Sequence, residues 1–329
     1  MTTQTTQSID FPWANLAWAH SPDEYVVRQV PAEDNPKGRK VFWARSYQGH
    51  PALMVEYQSN PWRPVTLPHL KNIKVGDYGE KRRLTIELLD ADMSELFLKV
   101  GLDIVDALQE VSPENSRQAC IYRLERWSSF LKPSRSKLSE EGQKGLIAEL
   151  QFLQRDVVDA HDAVSALNCW VGPEGAQRDF AFGQVFVEVK SKRSSANPDI
   201  VISSEDQLNV NSAEQLYLYV AELNRAAIDD GGSFTIEDVV QDARKVFCQP
   251  LQKGLLDSKL ASAGYFDEDD YAEVRWTEGN TYYYEVSDEF PKIDSKACPP
   301  GVSHINYHVD LDYCEDCRVD RNVVLKAME

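Results

Sequence analysis

Val185, Val187 and Val189 alternate with Phe186, Glu188 and Lys190, a period of two that fits a strand and not a helix. Glu188 and Lys190 then share one face. Gly183-Gln184 reads as a two-residue hairpin turn, with glycine first as a type II′ turn requires. Phe182 would pair with Val185, and counting outward puts Asp179 opposite Glu188. Opposed side chains in such a ladder stand about 4.5–5.5 Å apart at Cβ. Two carboxylates at that separation repel and destabilise the fold unless a cation joins them. A hard divalent cation held by oxygen ligands suits the pair, and Lys190 adds a positive charge beside it. The competing reading is a solvated face with a weak salt bridge. Phe180, Phe182 and the three valines make the hairpin core-like, so its polar face would be only partly open. Lys192 and Arg193 follow at once and form a basic cluster suited to phosphate and hence to DNA.

Upstream, Leu146, Leu150, Leu153 and Val157 recur at helical spacing and form an apolar stripe. Glu149 falls on its border. A glutamate there can snorkel to the surface, or can reach a cation bound on a neighbouring sheet.

A helix carrying Glu, a strand with Asp and a strand with Glu-x-Lys together resemble the PD-(D/E)XK nuclease superfamily, with Arg178-Asp179 in place of Pro-Asp. More closely, the chain is similar to a bacterial family known as "PD-(D/E)XK motif protein". The resemblance is carried by Gly145–Leu150, Trp170–Gly175, Asp179-Phe180, Val187–Lys190 and Ile202–Leu208, with Arg123–Trp127 upstream. It implies a restriction-endonuclease-like mixed sheet flanked by helices, of α+β or α/β class. It implies that Asp179, Glu188 and the backbone carbonyl of Val189 ligate Mg²⁺, or Mn²⁺ in its place. Glu149 would serve a second metal or the second shell of ligands, Lys190 would orient or deprotonate the attacking water, and Gln207 would stand beside the active site. The reaction implied is phosphodiester hydrolysis, most simply of DNA in bacterial restriction or phage defence. The alternative is a non-catalytic DNA- or protein-binding accessory subunit of a defence complex.

The net charge of −18 argues against a simple nucleic-acid coat protein. Residues 198–329 carry 11 basic and 27 acidic residues, a net −16 that includes the run Asp267–Asp270, whereas residues 132–197 are neutral. The acidic part would face away from DNA, dock a protein partner, or keep the chain soluble. A homodimer stays open. No apolar run is long enough for a membrane helix. The polar start Met1–Ser8 lacks the pattern of a signal peptide, and six unevenly spaced cysteines suit reduced thiols, so a cytoplasmic location is expected. The Cys314–Cys317 pair, with Cys298, His304 and His308 near in sequence, lacks the second knuckle of a zinc site. His161 reads as a surface residue at a helix end.

The expected organisation has three parts. Residues 1–131 hold a loop-rich start to about residue 35, a small antiparallel sheet over about 40–90 and two helices at 94–110 and 115–130. Residues 132–232, entered through a linker at 132–136, form the nuclease-like core. Residues 233–329 form an acidic α/β extension, with helices at 236–247 and 251–263 and strands at 281–286 and 305–311.

Overall fold

The computed structural model describes residues 11–58, 62–133, 135–194, 198–211, 213–293, 298–299, 301–302 and 305–329. Met1–Ser8, Ser134 of the expected linker and His304 lie outside the described residues. The chain forms two compact units: residues 1–135 with 249–258, and residues 136–248 with 259–329.

The first unit is a five-stranded antiparallel sheet backed by helices. Its strands are β1 (Tyr25–Gln29), β2 (Val41–Ser46), β3 (Pro51–Glu56), β4 (Ile73–Tyr78) and β5 (Arg83–Leu88), in the order β1-β2-β3-β5-β4. Helices α1 (Ser94–Glu110) and α2 (Ser116–Phe130) follow. Phe97, Val100, Ile104 and Leu108 recur at helical spacing on α1 and pack with Trp43, Leu53, Leu84 and Ile86. A Cβ at Gly101 would stand 2.4 Å from the Trp43 ring, so glycine sets how closely α1 approaches the sheet. β1 falls in the stretch read as loop. It is a half-exposed edge strand, and Tyr-Val-Val-Arg-Gln shows no alternation that would have betrayed it.

The second unit is α+β. Helix α3 (Glu140–Phe152) is capped by Ser139, whose Oγ accepts the Gly142 N–H at 3.1 Å. A π turn (Leu153–Val157) joins it to α4 (Val158–Ala160), and α5 (Ala163–Cys169) starts on an Asp162 cap. Then come β6 (Phe180–Phe182), β7 (Val185–Lys192), β8 (Asp199–Ile202), β9 (Gln215–Ala226) and α6 (Ile236–Val246). Helix α7 (Pro250–Ser262) is divided between the units; β10 (Arg275–Glu285), β11 (Tyr307–Asp310) and α8 (Arg321–Met328) complete the chain. The main sheet runs β10-β9-β7-β6, with β7 and β9 parallel and the other pairs antiparallel. It is the mixed, helix-flanked sheet of a restriction-endonuclease-like fold.

Strand β9 reads as a continuous apolar run because both of its faces are covered. Leu216, Leu218 and Val220 pack with Ile200 and Ile202 of β8 and Val309 of β11. Tyr219 turns the other way, 5.0 Å from the Phe152 ring of α3. Charge and packing divide the chain at different places. The acidic segment after residue 233 supplies β10, which pairs with β9 along most of its length. Its Asp267–Asp270 run is engaged locally: Asp267 binds Arg244 at 2.8–2.9 Å, and the Asp270 carbonyl accepts from Lys137. Among the described residues no helix is long and apolar enough to cross a membrane.

Candidate active site

The hairpin forms in the expected register, with Phe180 opposite Val187 and Phe182 opposite Val185. Gly183 takes the left-handed φ of +66° that the turn needs. One further step of the same count puts Asp179 opposite Glu188. Asp179 sits just before β6 and fastens two segments together. Its carbonyl accepts the N–H groups of Val171 and Gly172 at 2.8 and 3.0 Å, and its Oδ2 accepts the Val189 N–H at 2.7 Å.

Glu188 is 1% exposed. Its Oε1 lies 2.8 Å from Lys190 Nζ, while its Oε2 is buried with no hydrogen-bond partner among the described residues. Lys190 also donates to Gln207 Oε1 at 3.1 Å, and that same oxygen accepts the Ser203 N–H at 2.8 Å. Gln207 stands on a short 3₁₀ turn, Glu205–Leu208. Glu149 arrives from α3 and accepts the Trp170 indole N–H at 2.7 Å. The structure therefore gathers Glu149, Asp179, Glu188, Lys190 and Gln207, from one helix, one hairpin and one turn.

The electrostatics of the cluster are those of carboxylates short of positive charge. Burial pushes the Glu188 carboxyl up to about 8, the Asp179 charge pushes the same way, and Lys190 opposes both. Burial and the charges of Asp179 and Glu188 push Glu149 well above the ordinary carboxylate range, against the Trp170 hydrogen bond and Lys190. Burial also raises Asp179, opposed by the Val189 N–H, Lys190 and Arg178. Among the described residues no three His, Cys, Asp or Glu side chains converge tightly enough to cage a metal ion as they stand. Mg²⁺ does not need such a cage: it usually keeps several waters and takes one or two protein carboxylates. The unpartnered, buried Glu188 oxygen beside Asp179 fits that demand.

A family model described as "Putative PD-(D/E)XK family member, (DUF4420)" matches residues 9–312. The chain belongs to this family. No curated protein and no solved structure matches it. The PD-(D/E)XK superfamily to which DUF4420 is referred is one of nucleases, and the match spans all the residues gathered above.

In this DUF4420 chain several neighbours of the cluster carried little sequence signal. Gly172 lies in the Trp170–Gly175 segment, which carried the family resemblance but no role at the site. A Cβ there would stand 2.9 Å from Asp179 Oδ1 and 3.4 Å from Glu149 Oε2, so no side chain fits between the two carboxylates. Arg178, in the place of the motif's proline, is partly buried, bonds the Asn209 carbonyl and faces the charges of Glu188 and Asp179. Lys259 is 3% exposed and clamps the Trp170–Glu174 turn, donating to the Trp170 carbonyl and Glu174 Oε1, both at 2.5 Å. It lies far along the chain in a helix, and nothing local marks it.

The fold also fixes the surroundings of two residues singled out in the sequence. Lys192, read as a phosphate contact, has its ammonium 2.9 Å from Glu222 Oε1, and its side chain is 11% exposed. Its charge is neutralised within the fold because β7 and β9 are parallel and set the two residues side by side. Arg193, one residue on, remains exposed. His161 stands at the end of α4 and is partly exposed; its ring stacks 5.3 Å from that of Phe182, and its Nε2 is buried with no hydrogen bond among the described residues. The Cys314 thiol is buried in a 3₁₀ turn and pushed up to about 12, which disfavours the thiolate a metal would need.

Proposed function

We propose that this protein is a metal-dependent endodeoxyribonuclease that hydrolyses phosphodiester bonds. The observation that carries the reading is the convergence of Glu149, Asp179, Glu188 and Lys190, with a Glu188 oxygen buried and unpartnered. In a fold made only for stability that oxygen is a net cost, because burial removes its water and gives nothing back.

Asp179, Glu188 and the carbonyl of Val189 would hold Mg²⁺ or Mn²⁺, with Glu149 as a further carboxylate. When bound, the ion supplies an acidified water and offsets charge developing on phosphate. The chain's own residues do the positioning. Asp179 is fixed by the Val189 N–H, so its second oxygen has a defined direction. Trp170 holds the Glu149 carboxylate, and Lys259 holds the turn that carries Trp170. Gln207 and Glu188 engage two of the three N–H donors of Lys190, leaving the third for water or a phosphate oxygen. The exposed Arg193 would meet the backbone of the substrate. A role in bacterial restriction or phage defence is supported by the family resemblance alone.

The test is incubation of purified protein with supercoiled and single-stranded DNA in Mg²⁺, Mn²⁺ or EDTA. Cleavage should need the metal and should vanish in Glu188→Gln and Lys190→Ala, each folded by circular dichroism. Cleavage unchanged in both variants would overturn this site. Metal-independent DNA binding without cleavage would favour the accessory-subunit reading.

A further inference from the structure

A cavity of about 390 Å³ lies in the first unit, between the turn at residues 37–40 and the hairpin that joins β4 to β5. Five of its lining residues are basic (Lys37, Arg39, Lys40, Lys81 and Arg82), against a single carboxylate, Glu56. The acidity of the chain lies in residues 198–329, so this bias is a local feature of the first unit. Neither the family match nor the site around Glu188 accounts for it.

The five cations divide by what they already do. Lys37 and Arg39 donate to the carbonyls of Leu108, Gln109 and Val111, and so close the C-terminal end of α1. Lys40 lies 3.5 Å from Glu56, which Arg83 also approaches at 3.3 Å. Lys81 and Arg82 have no carboxylate partner among the described residues, and both are exposed at the mouth of the cavity. Two uncompensated cations therefore face a concave site whose floor is already positive.

The backbone at Arg82 points the same way. Arg82 sits at φ +48°, ψ +51°, the left-handed region that glycine and asparagine enter more readily. It is held there by its N–H to the Gly79 carbonyl at 3.2 Å and by its carbonyl to the Tyr57 N–H at 3.0 Å. A residue of arginine's size in that conformation costs stability that glycine would not. Among the described residues the guanidinium gives no hydrogen bond or ion pair to the protein in return.

We propose that this cavity is a phosphate-binding site, taking the phosphate of a nucleotide or of a nucleic-acid backbone, with Lys81 and Arg82 as its primary contacts. A guanidinium and an ammonium at the mouth of a pocket of nucleotide-admitting size match phosphate, with arginine able to bind two oxygens at once. The site needs no metal and no cleavage, so it stands or falls independently of the nuclease reading.

The experiment uses the full chain in EDTA. Isothermal titration with inorganic pyrophosphate and with AMP, and fluorescence anisotropy with a labelled 20-nucleotide single strand with and without a 5′-phosphate, read binding. Arg82→Gly should weaken binding roughly ten-fold or more while leaving the melting temperature unchanged or raised, since glycine relieves the left-handed backbone. Lys81→Ala should weaken it further, and Lys245→Ala, at an exposed lysine outside the cavity, should not. AMP and pyrophosphate binding without a strand preference identifies a free nucleotide as the ligand. A strand that outcompetes AMP, most of all with its 5′-phosphate, identifies nucleic acid. Binding of all probes unaltered in an Arg82→Gly/Lys81→Ala double variant, or no binding of any probe, overturns the proposal.

Discussion

Strand β7 presents two lysine–glutamate pairs of nearly equal length and opposite character. Lys190 Nζ stands 2.8 Å from Glu188, and Lys192 Nζ stands 2.9 Å from Glu222. Both glutamates are buried, at 1% and 5% exposure. Burial raises the Glu188 carboxyl to about 8. Burial also pushes Glu222 up, but hydrogen bonds from Lys192, the Asn280 N–H and Ser194 outweigh it and bring Glu222 down to about 2. Glu222 further accepts from the Asn280 side chain and the Tyr282 hydroxyl, whereas Glu188 has Lys190 as a hydrogen-bond donor, the nearby charge of Arg178 and two carboxylate neighbours. The number of donors around a buried carboxylate, not its nearest ion pair, decides whether its charge is at rest. Glu222 is fully surrounded by donors; Glu188 accepts from Lys190 alone among the described residues.

The largest effect should come from the complete pair. Glu222→Ala leaves Lys192 without its carboxylate in a site nearly closed to water, at a cost of about 3–5 kcal/mol in urea unfolding. A loss below about 1 kcal/mol would mean that Lys192 escapes to solvent and that the contrast with Glu188 is false.

The opposite sign is expected at Glu188. Its folded pKa of about 8 exceeds the ordinary value of 4.5 that holds in the unfolded chain. Below about pH 4.5 both states are protonated there and no difference arises. Between there and about pH 8 the folded state keeps a proton that the unfolded chain has lost, so stability falls as pH rises. Glu222 gives the reverse: its contribution is full above about 4.5 and is lost as pH falls toward 2. In EDTA at pH 8, Glu188→Gln should raise the melting temperature by about 2 °C or more and flatten the slope between pH 5 and 8. Mg²⁺ should stabilise the wild type by mass action and leave the variant unmoved. A pH profile identical in the two proteins would count against the cluster's electrostatics.

Asp179→Asn sharpens the comparison on a smaller scale. It removes one of the charges that raise Glu188, but an amide oxygen can still accept the Val189 N–H. Metal-free protein should gain about 0.5–1 kcal/mol. A loss instead would show that Arg178 and Lys190 already compensate Asp179.

The smallest effect belongs to the acidic run. Asp267 is paired with Arg244, Asp269 accepts from the Tyr271 hydroxyl at 3.3 Å, and Asp270 accepts the Ala272 N–H at 3.0 Å. Neutralising Glu268, Asp269 and Asp270 should strengthen DNA binding only at low salt, where screening is weak. Comparable strengthening at physiological salt would assign the run a direct place in DNA binding.

The site was legible where side-chain period and turn chemistry act over a few residues. The hairpin from Asp179 to Lys190, its register and the stripe-edge place of Glu149 all follow from local rules. The pairing of Lys192 with Glu222 was not legible, because it depends on a parallel pairing between β7 and β9 that no local pattern announces. Lys259 was hidden for the same reason, since its partners Trp170 and Glu174 lie more than 80 residues away. β1 was missed because an exposed edge strand has no buried face to impose alternation. Nothing local in the acidic segment after residue 233 announced that its strand β10 pairs with β9, since charge records what faces water and not what a strand pairs with.

That pairing has a consequence for how the molecule is made. β9 is the spine of the main sheet, and its free side is covered only when β10, residues 275–285, has left the ribosome. A nascent chain that has already released Glu149, Asp179, Glu188 and Lys190 still carries β9 with an open, apolar edge, the kind of surface that recruits other strands. Lys259, which holds the turn beneath Glu149, also emerges after them. The carboxylate cluster is thus among the last features to become rigid during synthesis, and a fragment ending before β10 is expected to aggregate.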